Sequence, residues 1–218
     1  MSVNVALLKE ICEVPGAPGF EQPIRAMVLR ELKKLPVEVS VDNMGNVIAL
    51  KKGRNNKKVM VAAHMDEIGF IVSYIDEEGF VRFNTLGGFD PKTLTAQRVI
   101  IHGKKPVIGV MGSKPIHVMS PEERTKLPKT NDYFIDLGMP KSEVEKYITI
   151  GDPITRDREL IEMGNCVNCK SIDNRVSVYI LIETLKELAE TPYDVYGVFT
   201  VQEEVGLRGA LVASHHIS

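Results

Sequence analysis

The sequence has no tryptophan, and aromatic residues make up only 6% of its 218 residues. Carbohydrate clefts rely on exposed aromatic rings, so this composition disfavours a sugar-binding cleft. The chain also has only three cysteines, and an odd count argues against a disulfide scaffold. Lys and Arg number 27 against 29 Asp and Glu, and the net charge of -2 gives no electrostatic footprint for nucleic acid.

Long apolar runs are missing as well. No stretch approaches the ~18 residues that a membrane-spanning helix needs. The first residues, MSVNVALLKEICEVPG, lack the basic start and the small-residue cleavage site of a signal peptide. We therefore expect a cytoplasmic protein without membrane or nucleic-acid partners.

The pattern of the chain changes twice along its length. Residues 1–68 alternate helical and strand patterns, whereas residues 69–163 consist of short strand-like runs separated by turn residues. Residues 164–218 return to a long helix, with Ile180 on its apolar stripe, followed by a strand over YDVYGVFTVQ. We predict an α/β domain, built from the first and last segments, into which a small β domain is inserted.

Candidate chemistry begins in the stretch VAAHMDEIG, where His64 and Asp66 follow an apolar strand. In extended backbone, residues two apart point to the same side, so the imidazole and the carboxylate can share one face. This arrangement suits a metal-binding histidine whose ring is oriented by an acidic partner. The alternative is a loop histidine beside a helix-capping aspartate.

A second candidate, Asp173, stands at the start of the long helix in CKSIDNRVSV. Aspartate is a preferred N-cap, and Ser171 could serve the same purpose. Capping and metal chemistry therefore both remain open for this carboxylate when it is considered alone.

The third candidate is a pair of adjacent carboxylates, Glu203 and Glu204, directly after the strand DVYGVFTVQ. Consecutive strand residues face opposite sides, so the two should not share one task. Where the strand ends the backbone bends, and both can still border one cavity. One glutamate would then bind metal and the other would act as general base; the alternative is two solvated charges.

Taken together, the three clusters form a set of one histidine and several carboxylates, all at strand ends or helix starts. Such a set suits zinc, cobalt or manganese in a reactive site, because a structural zinc would draw on thiolates. Cys166 and Cys169 form a Cys-x-x-Cys pair, but no second pair completes a zinc site and no thioredoxin-like context accompanies them. We interpret them as incidental thiols.

The ordered motifs resemble the M42 family of metallo-aminopeptidases over nearly the whole chain. The residues that carry the resemblance are PGAPGFE, AAHMDEIGF, GGFDP, AQRVIIHGK, IGDP, IDNR and VFTVQEEVGLRGA. The resemblance implies a mixed-sheet, phosphorylase/hydrolase-like α/β catalytic domain with an inserted β-barrel that mediates assembly. It also implies cleavage of N-terminal residues from short peptides and a large homo-oligomer, in the family typically a dodecamer built from dimers.

The same resemblance assigns roles to the candidate residues. It implies two divalent metal ions, usually zinc or cobalt, with His64 on one metal, Asp173 bridging both and Glu204 on the other. Asp66 would support His64. Glu203 would be the general base that takes a proton from a metal-bridging water and delivers it to the leaving amine.

The chain departs from the family in its length, because family chains supply a further aspartate and a late histidine as ligands. Here the sequence reaches ASHHIS soon after Glu204. We therefore expect either a fragment of a longer protein or a chain that lacks a disordered or cleaved part. The rival functions are a glucanase, a label that some family members carry, and a catalytically inactive assembly module of the same fold.

Overall fold

The computed structural model describes residues 3–55 and 57–217. None of the helices in these two stretches is long and apolar enough to cross a membrane. The helices and strands, in chain order, are α1 (Val5–Glu13), α2 (Gln22–Leu32), β1 (Glu38–Val41), β2 (Val47–Lys51), β3 (Lys58–His64), β4 (Gly69–Ile75), β5 (Val81–Leu86), β6 (Arg98–His102), β7 (Pro106–Ser113), α3 (Pro121–Arg124), β8 (Tyr133–Asp136), α4 (Lys141–Tyr147), β9 (Pro153–Arg156), β10 (Ile161–Met163), β11 (Cys166–Asn168), α5 (Ile172–Glu187), β12 (Asp194–Thr200) and α6 (Arg208–Ile217).

The chain divides into two compact units, and each confirms part of the expected fold class. The first, here called the sheet unit, comprises the residues up to Glu67 and from Glu159 onwards, and the second, the barrel unit, spans Ile68–Arg158. The insert was predicted to run to residue 163. The β10–β11 hairpin instead belongs to the sheet unit, because Leu160 and Val167 pack in the larger core of that unit.

The sheet unit contains a mixed four-stranded sheet in the order β1-β2-β12-β3. Strand β12 runs antiparallel to β2 and parallel to β3, and the parallel register places Thr200 opposite His64. The ends of β3 and β12 therefore lie side by side, as expected for parallel neighbours. Helices α1, α2 and α5 contribute to the larger core, and α6 packs in a second cluster with β2 and β12.

Local sequence accounts for the helices of the larger core. The Asn4 side chain caps α1 by accepting the Leu7 amide at 3.1 Å, and Pro23 occupies the first turn of α2, where its missing N–H costs nothing. The apolar faces that follow are fully buried at Ile11 and Ile24. These helices secure the loops on which the candidate site depends.

The barrel unit is a closed six-stranded antiparallel barrel in the order β4-β5-β8-β7-β6-β9. Its interior is a continuous apolar core in which Phe70 contacts the rings of Phe83 and Phe89, with centroids 5.0 and 4.3 Å apart. Closure removes exposed sheet edges from this unit.

Candidate metal centre

His64, the last residue of β3, lies at the centre of the candidate site. Its side chain is only 7% exposed. On one side of the ring, Nδ1 lies 3.0 Å from the carbonyl oxygen of Asp66. On the other side, Nε2 lies 3.3 Å from Oδ1 of Asp173 and 3.6 Å from Oε2 of Glu203. The structure thus brings the three sequence motifs together around one imidazole.

The carboxylate of Asp66 is fully buried and organises two parts of the site at once. Its Oδ1 and Oδ2 accept the backbone amides of Glu203 and Glu204, each at 3.1 Å. Oδ1 also lies 3.5 Å from Nδ1 of His64. Asp66 therefore links the histidine to the loop that carries the two glutamates.

Glu203 and Glu204 both turn toward His64, although consecutive strand residues normally face opposite sides. The backbone bends just before them, because Gln202 adopts a positive φ of 52°, which is uncommon for a residue other than glycine. His64, Glu203 and Glu204 each offer a ligand atom, and these atoms all lie within 4.8 Å of one another. Such a cluster is close enough to hold a single cation.

Asp173 was open to two readings from the sequence, a helix cap or a metal-binding carboxylate. Within the described residues its carboxylate accepts no backbone amide of α5, and its Oδ1 instead lies 3.3 Å from Nε2 of His64. Ser171, the N-cap of α5, makes no side-chain capping bond and donates its hydroxyl to the Cys12 carbonyl at 2.5 Å. The Asp173 side chain is 89% exposed, with its carboxylate at the open side of the histidine.

The electrostatics of the cluster favour a bound cation. Burial works to lower the pKa of His64, but Asp66 and Glu203 together outweigh it, and the pKa is raised overall. The pKa of Glu204 is raised by burial and by the nearby carboxylates of Asp66, Glu203 and Asp173, against an opposing effect of His64. Several acidic groups around one imidazole repel each other unless a cation lies between them. The donor set, carboxylate oxygens and one imidazole, fits zinc, cobalt or manganese.

Sequence reasoning missed a buried charged network beneath the site. Arg175 and Glu67 are fully buried, and the Lys170 ammonium forms an ion pair with Glu67. The Arg175 guanidinium donates to the carbonyls of Met65, Ile11 and Val14 at 2.5, 2.6 and 2.9 Å, respectively. It therefore joins the loop after β3 to the end of α1. In the sequence, Glu67 directly follows Asp66 in MDE, and Arg175 lies two residues after Asp173 in DNR. This closeness to candidate residues was the only sign of a role in the site.

Two further polar residues, also missed, support the loop after β12. The Glu21 carboxylate is 3% exposed and accepts the amides of Gly19 and Gln202 at 2.8 and 3.1 Å. The Asn46 side chain accepts the Val201 amide at 3.0 Å. Glu21 ends the motif PGAPGFE, which was the one signal for it, whereas nothing in the local sequence of Asn46 distinguishes it from an ordinary turn residue.

Comparison with known proteins places this geometry in a family. A family model described as M42 glutamyl aminopeptidase matches residues 45–218. A putative aminopeptidase of Acetivibrio thermocellus is 40% identical over 97% of this chain and 62% of its own length. The chain thus spans less than two thirds of this relative.

Solved structures give the same result. A TET aminopeptidase from a marine sediment archaeon of the Thaumarchaeota superposes with a TM-score of 0.94 at 37% identity, covering 98% of this chain and 63% of that one. The TET1 peptidase of Pyrococcus horikoshii, which can assemble into a tetrahedron or a large octahedral shell, superposes with a TM-score of 0.88 at 33% identity, covering 98% and 65%. The chain belongs to the M42 glutamyl aminopeptidase family.

Proposed function

We propose that this protein is a metal-dependent aminopeptidase that removes N-terminal residues from short peptides. The observation that carries the proposal is the convergence of His64, Glu203 and Glu204 within 4.8 Å, with Asp173 in contact with the same imidazole. The family to which the chain belongs supplies the reaction class. The chain spans only part of the length of its relatives. The activity of the whole protein is therefore also proposed.

Two divalent metal ions, zinc or cobalt, would be held by His64, Asp173 and Glu204. When bound, they supply Lewis acids that polarise the scissile carbonyl and make a water molecule more acidic. Asp173 suits a bridging position, because its exposed carboxylate lies 3.3 Å from Nε2 of His64 and is not committed to a helix cap. Glu204 suits a ligand, since burial and then the neighbouring carboxylates raise its pKa, and a bound cation would favour its charged form.

Glu203 would act as the general base. Its carboxylate is 32% exposed, so it can reach a water molecule at the open side of the site. Oε2 would take the proton as the water attacks and would then deliver it to the leaving amine. Asp66 acts through its neighbours: it holds the Glu203 amide and faces Nδ1 of His64, which keeps Nε2 directed at the site.

The protein would assemble into a homo-oligomer through the barrel unit. Strand β7 exposes Ile108 and Val110, which are 60% and 44% exposed, and Ile116 and Val118 in the following segment are 68% and 56% exposed. Adjacent apolar residues of this kind mark protein–protein contacts. The Pyrococcus horikoshii relative can assemble into a tetrahedron or a large octahedral shell, which supports assembly of this protein, a dodecamer being the form expected from the family.

The proposal is tested by measuring bound metal by elemental analysis and then assaying two substrates. Release of amino acid from aminoacyl-anilides and of sugar from soluble glucan are compared with added zinc, with added cobalt and with a chelator. Glu203→Gln removes the base and should lower peptide turnover by about 10²- to 10⁴-fold. Glu162→Gln, an exposed glutamate on β10, is the matched control and should leave turnover unchanged.

Each outcome of this assay has a defined consequence. Metal-dependent peptide turnover that fails in Glu203→Gln supports the aminopeptidase. Sugar release that survives chelation contradicts it in favour of a glycoside hydrolase. Absence of both activities, together with no retained metal, contradicts it in favour of an inactive assembly module.

A further inference from the structure

Cys12 and Cys169 are in contact although they lie 157 positions apart in the sequence. Cys12 lies in the last turn of α1 and is fully buried, whereas Cys169, directly after β11, is partly exposed. The Cys169 sulfur lies 3.7 Å from the Cys12 carbonyl oxygen, and the two thiols also hydrogen-bond to each other. This contact joins α1 to the segment that leads into α5.

The pKa of the Cys169 thiol is lowered and that of the Cys12 thiol is raised. The hydrogen bond from Cys12 is the main cause that lowers the pKa of Cys169 to about 6; burial opposes it, and the amides of Ser171 and Lys170 and the Lys170 charge assist. Conversely, the hydrogen bond with Cys169 and burial raise the pKa of Cys12. A partly exposed thiolate beside a protonated, buried thiol is the arrangement of an attacking cysteine with its resolving partner.

The third cysteine gives an internal contrast. Cys166 and Cys169 form the Cys-x-x-Cys pair of the sequence, but Cys166 is exposed on β11. Cys169 instead packs against the core that contains Cys12. The fold therefore favours a pairing that the sequence motif does not indicate.

We propose that Cys12 and Cys169 form a reversible redox pair that closes into an intramolecular disulfide on exposure to a peroxide. The Cys169 thiolate attacks one peroxide oxygen and breaks the O–O bond, which gives a sulfenic acid and hydroxide. The Cys12 sulfur then attacks the sulfenic sulfur, and its proton goes to the departing hydroxyl group, which leaves as water. In sum, the thiolate and the thiol give up two electrons as the S–S bond forms, and the peroxide becomes one hydroxide and one water.

The bond would restrain the segment that positions Asp173. Ser171, two residues before Asp173, already donates its hydroxyl to the Cys12 carbonyl, so α1 and this segment are held together at that point. A covalent link between Cys12 and Cys169 adds a second connection across the same contact. The proposal does not depend on catalytic activity.

The test uses the full chain, reduced and then exposed to equimolar hydrogen peroxide at pH 7. Remaining thiols are blocked with N-ethylmaleimide, and the protein is digested without reductant for mass spectrometry. The parent and Cys166→Ser, the matched control, should give the peptide linked between Cys12 and Cys169, and a reductant should release it. Cys169→Ser should consume peroxide more slowly than the parent by roughly tenfold or more.

Two variants keep the test decisive. Cys12→Ala should lose the linked peptide, with Cys169 proceeding to sulfinic acid because the resolving thiol is gone. Should that core variant not fold by circular dichroism, Cys169→Ser decides the question, since its side chain is partly exposed. The proposal is overturned by a dominant link between Cys166 and Cys169, by unchanged peroxide consumption in Cys169→Ser, or by a link between Cys12 and Cys169 that forms only in denaturant.

Discussion

The two units of this molecule bury different kinds of side chain. Within the described residues, the buried polar side chains of the barrel unit amount to Thr155 alone, which hydrogen-bonds to His102 at 2.8 Å. The sheet unit buries the remainder, including the charged residues Glu21, Glu31, His64, Asp66, Glu67, Lys170 and Arg175. Burial of apolar side chains stabilises a fold, whereas burial of charged side chains costs free energy unless the charges are paired. The contrast indicates that the core of the barrel unit serves stability alone. In the sheet unit, the burial of charged residues costs free energy but holds the site residues in position.

Removing the buried arginine should give the largest effect on stability. Arg175→Met leaves three carbonyls without their donor and Glu67 without a nearby cation at 3.8 Å. We expect the free energy of unfolding to fall by about 3–5 kcal/mol, the range for breaking a buried charge network. Urea unfolding measures it. The control Arg82→Met, on the barrel surface, should cost no more than about 1 kcal/mol.

Equal losses for these two arginine variants would contradict the distinction between the units. A smaller loss of unfolding free energy in Arg175→Lys than in Arg175→Met would show that the buried charge itself contributes to the stability of the sheet unit. Lysine keeps the charge opposite Glu67 but cannot reproduce the planar fork that reaches several carbonyls.

A cavity in the barrel unit should also destabilise the protein but should spare the site. Ile135 is fully buried in the barrel core. Ile135→Ala should lower the free energy of unfolding by about 2–5 kcal/mol through lost burial and cavity formation. Ile150→Ala, at an exposed position of the same unit, should have little effect. Because the candidate ligands lie in the other unit, zinc affinity measured by calorimetry should be unchanged, and a large loss of affinity would show that the two units are not independent in function.

The Asp66 carboxylate should matter more for the metal than for the fold. In Asp66→Asn, an amide N–H₂ would face one of the two backbone amides that the carboxylate now accepts. We expect zinc affinity to fall by about 10- to 100-fold, as for other residues that orient a ligand. Chelator competition measures this affinity. Asp157→Asn, which removes a surface partner of Arg98, is the control, and equal affinities in the two variants would argue against the proposed role of Asp66.

Periodicity predicted an α/β unit with a small β unit inserted, and the strand ends indicated which candidate side chains would lie close together. His64, Glu203 and Glu204 follow apolar strands, and parallel pairing brings those strand ends together. The partners of Arg175 were not predictable, since they are backbone carbonyls more than a hundred residues away. Ile180 illustrates another limit: it was placed on the apolar stripe of α5 but is 54% exposed, because spacing does not reveal which apolar positions a neighbour covers.

The smallest expected effect concerns Glu21 and its response to pH. Burial is the main cause of its raised pKa, so just above pH 4.5 the folded protein binds more protons than the unfolded chain does. The stability of the parent should therefore fall as pH rises through that window and then level off. Glu21→Gln keeps an oxygen for the Gly19 and Gln202 amides without a charge.

This variant should match the parent at pH 4.5 and exceed it at pH 7 by no more than about 1 kcal/mol in urea unfolding. The control Glu38→Gln, exposed on β1, should show no such gain. An equal difference at both pH values would mean that hydrogen bonding, rather than the charge, sets the contribution of Glu21. A lower stability of Glu21→Gln at pH 7 would mean that the sheet unit gains from this buried charge, and the contrast with the barrel unit would then have to be explained without a cost of burial at this position.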